Sequence, residues 1–282
     1  MSASVSPSGA KALQSVPAST LVAEGAGRLS AGDIAALSKA REGRWQPGLA
    51  DQASHSEIFA SSSDASGAGL AFALARDALQ VAKRDEPDPL AEVQDRRQVL
   101  WVQDKRAAQR SGRPYIHGLP SDLRGRIIHV EAEDAQDALF ALEEGLRCRD
   151  LACVIGEISG NPRTLDFTAS RRLSLAAEKH GVTLWLVRLD AAPELSSARM
   201  RWRSRPAASS PARWNSDAPG APAWQAELFR ARSHAPGEWI LKDDNGRLRA
   251  RRTGTPVAAN TQDIGDLVRP TVGRSLAACA RL

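Results

Sequence analysis

Cysteine and long apolar runs are scarce in this 282-residue chain, and each shortage removes a class of function. The three cysteines, at 148, 153 and 279, are too few for a disulfide framework and share no metal-type spacing. A structural zinc site is thereby excluded, and a reduced, cytoplasmic chain is expected. Cys148 and Cys153 should sit in or near the core. His55, His117, His129, His180 and His234 are dispersed, without the HxxxH or His-Glu spacing of a metalloenzyme. No apolar run approaches the roughly 18 residues that span a bilayer. The first nine residues lack a charged region followed by an apolar core, so neither a membrane role nor a secretory leader is expected. No catalytic constellation stands out.

What is present is a globular composition, 42% hydrophobic and 25% charged. The net charge of +5 conceals a division: residues 1–198 hold 23 Lys+Arg against 26 Asp+Glu, whereas residues 199–282 hold 15 against 7. Arginine outnumbers lysine 32 to 6, and guanidinium forks favour phosphates and carboxylates. A basic last third makes an anionic partner plausible at that end.

Residues 1–28, rich in Ala, Ser, Gly and Pro, cannot bury enough surface to offset ordering and read as a disordered tail. A short helix capped by Ser30, with a linker, fills 29–54. From His55 the pattern becomes regular. His55–Ala60 is a strand, Ser61–Gly67 a small-residue loop and Leu70–Ala82 a helix. Val99–Val102, Ile127–Val130, Cys153–Ile155 and Thr183–Val187 are further buried strands. Helices follow Asp134, with Ala135, Ala138, Leu139, Leu142 and Leu146 on one face, and run from Leu165 to His180, stopped by Gly181. This alternation predicts an α/β fold with a mostly parallel sheet flanked by helices. Ser197–Ser204, Ala223–Arg232 and the pair Glu238–Lys242 and Arg247–Arg251, joined through Asn245-Gly246, lack intervening helices and predict C-terminal antiparallel strands. Residues 253–282 read as a basic, flexible tail with at most a short helix over Thr261–Val268, leaving 55–252 as the folded domain.

The first strand-loop-helix is where a nucleotide-binding α/β fold places its phosphate loop, which needs glycines, a lysine for the phosphates and a Ser/Thr for magnesium. Here the loop carries Ser63, Asp64, Ser66 and Gly67, and Ala68 and Gly69 occupy the lysine and hydroxyl slots. The loop is degenerate, Asp64 adds the wrong charge, and no nucleotide cofactor is expected. Asp104 and Glu157 stand at strand ends, where capping and solvation are the simpler roles. The run Arg199-Met-Arg-Trp-Arg-Ser-Arg205 is the sharpest feature. As a strand it projects Arg199, Arg201, Arg203 and Arg205 from one face, with Met200 and Trp202 toward the core. Such a row either deters edge aggregation or receives an anionic partner, DNA or an acidic protein surface.

Several segments together resemble the ImuA family of RecA-like accessory proteins, sometimes labelled cell-division-inhibitor-like. They are His55-Ser-Glu-Ile-Phe59, Leu100-Trp-Val102, Gly112-Arg-Pro-Tyr-Ile-His-Gly-Leu119, Ala141-Leu-Glu-Glu-Gly-Leu-Arg-Cys148, Leu165-Asp-Phe-Thr-Ala-Ser-Arg-Arg-Leu173, Ala198-Arg-Met-Arg-Trp-Arg203 and Trp224–Arg232. The resemblance covers about residues 50–250. It implies a RecA-like core and a role in SOS mutagenesis and translesion synthesis after DNA damage. The implied partners are an ImuB-type polymerase homologue, an error-prone replicative-type polymerase complex and, further, RecA and DNA, with a cytoplasmic, nucleoid-associated location during damage. Asp104 falls where a RecA-type ATPase carries its catalytic carboxylate, but without the lysine and threonine of the phosphate loop the expectation is a protein that is not an enzyme. The alternatives are a DNA-dependent ATPase with an atypical phosphate loop and a cell-division inhibitor.

Overall fold

A computed structural model describes Pro47 and residues 53–85, 97–211, 215 and 217–253. The expected tail over 1–28, the helix from Ser30, the C-terminal tail with its helix near Thr261–Val268, and Cys279 lie outside the described residues.

Among the described residues, nine strands form one sheet: β1 (His55–Ala60), β2 (Gln98–Asp104), β3 (Ile127–Ala132), β4 (Leu151–Ser159), β5 (Thr183–Leu189), β6 (Met200–Pro206), β7 (Ala223–Ala231), β8 (Gly237–Asp244) and β9 (Arg247–Arg252). Their spatial order is β3-β2-β4-β5-β1-β6-β7-β8-β9. The pairs from β3 through β6 are parallel, and β6-β7, β7-β8 and β8-β9 are antiparallel. The helices are α1 (Ser66–Asp85), α2 (Lys105–Ser111), the single turn α3 (Ser121–Arg124), α4 (Ala135–Arg147) and α5 (Phe167–His180). The mostly parallel α/β sheet with antiparallel C-terminal strands agrees with the sequence.

Alternation along β5 shows how the core divides. Leu184 and Leu186 join α4 and α5 in one apolar cluster, while Trp185 and Val187 join α1 in the other. Both faces of the strand are covered, which is why it reads as a continuous apolar run. The α1 cluster extends under the antiparallel strands through Trp202, Trp224, Leu228, Trp239 and Leu241. Helix starts follow the capping rule: Asp134 accepts from the amides of Gln136 and Asp137, and Asp166 from Ala169. Gly181, at φ +71°, ends α5 in the left-handed conformation that favours glycine. The β8-β9 hairpin turns on Asn245 and Gly246, both at positive φ, as a two-residue turn of this kind requires.

The strand around Arg201 joins the two parts of the sheet: β6 is antiparallel to β7 and parallel to β1, with Ser56 opposite Met200 and Phe59 opposite Arg203. Residues 190–199 make the crossover without a helix. At about 3.3 Å per residue the segment is long enough to return along a strand the length of β5. It crosses the α5 face of the sheet and closes over a polar seam. Ser196 donates to Glu57 Oε1 at 2.8 Å, and the hydroxyls of Ser196 and Ser197 lie 2.9 and 2.6 Å from those of Ser170 and Ser174 on α5. His55 Nδ1 is 2.7 Å from the Ser174 hydroxyl.

His55 is wholly buried in this seam, and burial is the main reason its pKa falls from 6.5 to about 4. Glu57 and Glu178 pull it upward and Arg201 pulls it down further. The unfolded chain takes up this proton near pH 6.5 and the folded chain only near 4. The contribution of a neutral His55 is therefore complete above pH 6.5 and is lost as pH falls toward 4, by about 3 kcal/mol over the window. Urea unfolding at pH 7 and pH 4 should show this excess acid loss in the wild type and not in His55→Gln; equal losses in both proteins would refute it.

Candidate binding site

The loop from Ser61 to Ala65 sits at the C-terminal end of β1, where a parallel α/β sheet presents a phosphate site. The amides of Ser62 and Ser63, and that of Ser66 at the start of α1, are already engaged. Ser62 N–H donates to Asp190 Oδ1 at 2.9 Å, and its hydroxyl donates to Oδ2 at 2.5 Å. Ser63 N–H donates to the Ser61 hydroxyl and Ser66 N–H to Asp64 Oδ1. Asp190, at φ +51° just beyond β5, is held below the usual carboxylate range chiefly by the Ser62 hydroxyl. It also pairs with Arg110 at 3.1 Å. A carboxylate thus stands against the loop amides.

The helix start is equally filled. A Cβ added at Gly67 would lie 2.7 Å from Ala60 Cβ and 2.8 Å from a Val187 methyl, so α1 rests directly on the sheet. One added at Gly69 would lie 2.9 Å from Trp224 Nε1. Ala68 is packed against the apolar cluster of α1. The Ser66 and Ser204 hydroxyls each donate to the other residue's carbonyl, locking α1 to β6. The slots that a lysine and a threonine would need are therefore occupied by packing, with an indole at the second.

The two strand-end carboxylates are structural. Asp104 is buried and accepts from Ala107 N–H, capping α2, and from Ser159 N–H on β4. Glu157 accepts from Trp101 Nε1 at 2.6 Å, Gln103 Nε2 at 3.2 Å and the Ser111 hydroxyl at 3.2 Å. Burial raises its pKa against the opposing effect of those bonds. Among the described residues no cluster of His, Cys, Asp or Glu is arranged to hold a metal ion, and no helix is long and apolar enough to cross a membrane. Cys153 is buried, but Cys148, just after α4, is exposed, contrary to its expected place in or near the core.

The arginine row is largely committed to carboxylates within the fold. Arg199, just before β6, donates through Nε and Nη2 to Glu178 Oε1 on α5. Arg203 reaches both oxygens of Glu227 at 3.0 Å and lies over the Phe229 ring. Arg201 corrects the picture of an exposed row. Its side chain is 4% exposed, its Nε donates to Glu57 Oε2 at 2.7 Å, and it lies over Phe59 and Phe229. Alternation is preserved, but the crossover and α5 cover this part of the face. Arg205 alone is exposed with no carboxylate partner among the described residues. Sequence reasoning overlooked Glu57, Asp190 and Trp224. An acidic residue within a central strand was the available signal for Glu57, since such a charge needs a buried cation; Arg188 and Arg201 supply two.

Among curated proteins, the chain is 37% identical over 127 residues to Protein ImuA of Caulobacter vibrioides strain NA1000 / CB15N. The match to Protein ImuA of strain ATCC 19089 / CIP 103742 / CB 15 has the same extent. These residues are 42% of this chain and 50% of each relative, so the chain spans about half the length of the curated relatives it matches. The similarity supports an ImuA-family assignment. No family model matches the chain.

Arg201 and Arg203 should separate sharply on substitution. Arg201→Ser leaves the Glu57 carboxylate buried without its closest cation and should cost about 3–5 kcal/mol in urea unfolding. Arg203→Ser breaks a half-exposed pair and should cost less than about 1 kcal/mol. Equal effects would contradict the burial assigned to Arg201.

Proposed function

We propose that this chain is a non-catalytic accessory protein of DNA-damage-induced mutagenic translesion synthesis. It acts as a RecA-like scaffold that binds an ImuB-type polymerase homologue and helps assemble an error-prone replicative-type polymerase complex, with RecA or DNA as further contacts. Its place of action is the cytoplasm, at the nucleoid during damage. The similarity to Protein ImuA supports the pathway. The observation that carries the absence of catalysis is the phosphate loop, whose Ser62 donors are held by Asp190 and whose Gly69 faces Trp224.

A nucleotide triphosphate arriving at this loop meets two carboxylates, Asp64 and Asp190, and finds no side-chain cation in the lysine slot. Asp190 is shared between the Ser62 donors and Arg110, so those donors are already engaged by a carboxylate where a phosphate would need them. The core then serves as a surface rather than as a motor. Fold alone does not supply an activity whose residues are missing. No specific contact favours the reading as a cell-division inhibitor.

Calorimetric titration with magnesium ATP, with and without single-stranded DNA, should give no binding tighter than the millimolar range. Pull-down from DNA-damaged cells should recover the polymerase homologue. Micromolar ATP affinity would establish the ATPase reading instead, and recovery of the division machinery alone would overturn the partner assignment.

A further inference from the structure

A cleft of about 530 Å³ opens at the end of the sheet opposite the phosphate loop, between α5 from Arg171 to Glu178, the crossover and the end of β7. Arg171, Arg199, Arg230 and Arg232 line it, with Glu178 as the one carboxylate and Ser197 among the hydroxyls on its floor. Glu178 is engaged by Arg199. Arg171, Arg230 and Arg232 are exposed and have no carboxylate partner among the described residues.

A backbone irregularity helps assemble this set. Trp202 pairs with Leu228 but Arg201 pairs with Arg230, so β7 carries a bulge in which Phe229 is the extra residue. Without it, strict alternation would put Arg230 on the same face as Leu228, in the α1 core. The bulge places Phe229 and Arg230 in succession on the α5 face, a re-aiming that bulges accomplish at the expense of a ladder position. Arg232 N–H bonds the Arg199 carbonyl, holding the two arginines side by side across the strands.

Three unneutralised guanidiniums in one concavity repel one another unless an anion joins them. We propose that this cleft binds the phosphodiester backbone of single-stranded nucleic acid. Arginine is a phosphate-contacting side chain, and a strand presents a negative charge at every residue, matching cations set close together. The lining has no aromatic residue on which a base could stack, so the contact is to backbone and is neutral to sequence. A protein interface would centre on apolar or aromatic anchors with charge kept to the rim, whereas here Leu175 is the only large apolar side chain and the charges are central. The site deepens the scaffold reading by placing its DNA contact.

The test is fluorescence anisotropy of the full chain with a labelled oligothymidine strand across a salt series. Three phosphate contacts give a log–log salt slope of about −2. The triple substitution Arg171→Ser, Arg230→Ser and Arg232→Ser should weaken binding at least roughly tenfold and flatten that slope, with unfolding behaviour unchanged. Arg247→Ser, Arg249→Ser and Arg251→Ser, the same charge loss on β9, should weaken it less than roughly threefold. Equal losses in the two triples, or polyglutamate binding as tightly as the strand, would overturn the proposal. So would saturation by pyrophosphate or a mononucleotide without binding of the strand. Only DNA and the purified chain are present, so failure here leaves the polymerase-partner reading standing, and loss of that partner in pull-down leaves this one.

Discussion

The buried carboxylate of Glu57 is the interaction on which the middle of the sheet depends. It receives Arg201 from β6 at 2.7 Å, the Ser196 hydroxyl from the crossover at 2.8 Å, and has Arg188 of β5 within 3.9 Å. One side chain of β1 thereby joins both of its neighbouring strands and the segment between them. Burial lowers the pKa of Arg188, and the nearby Glu57 opposes that fall. A carboxylate in this position strongly favours partners that bring positive charge, and the parallel placement of β6 brings Arg201 alongside it. The same crossover buries His55 and its serines. The register of β6 in turn sets where β7, β8 and β9 extend the sheet.

The two ends of the sheet differ in consequence. At the C-terminal end of β1, Asp190, Asp64 and the serine hydroxyls satisfy the loop internally, and Trp224 fills the space beside Gly69. At the opposite end the bulge in β7 brings Arg230 to a cleft already basic through Arg171, Arg199 and Arg232. At the C-terminal end of β1 the loop donors of Ser62 are engaged by Asp190, whereas at the opposite end Arg171, Arg230 and Arg232 stand exposed.

Much of this was legible in the sequence because it rests on local pattern. The apolar faces of α4 and α5, the Asp134 cap, the Gly181 stop and the Asn245-Gly246 turn all follow from residues within one or two turns of each other. The missing lysine and threonine beside Gly67 were equally plain. What was not legible depended on contacts distant in the chain. Alternation places Arg201 and Arg203 on one face but cannot say that Phe59, Phe229 and Glu57 enclose the first and leave the second half-exposed. A crossover without a helix gives no local sign that β6, antiparallel to β7, also pairs in parallel with β1. The short charged helix α2 had no apolar stripe to reveal it, and Asp190, more than a hundred residues from Ser62, gave no local sign of closing the loop.

A double-mutant cycle on Glu57→Gln and Arg201→Gln, read by urea unfolding, tests the central interaction most directly. A coupling of about 2 kcal/mol or more is expected for the buried pair, against less than about 1 kcal/mol for Arg203 and Glu227 in the same assay. Additive losses at Glu57 and Arg201, with a coupling near zero, would contradict the role assigned to that carboxylate.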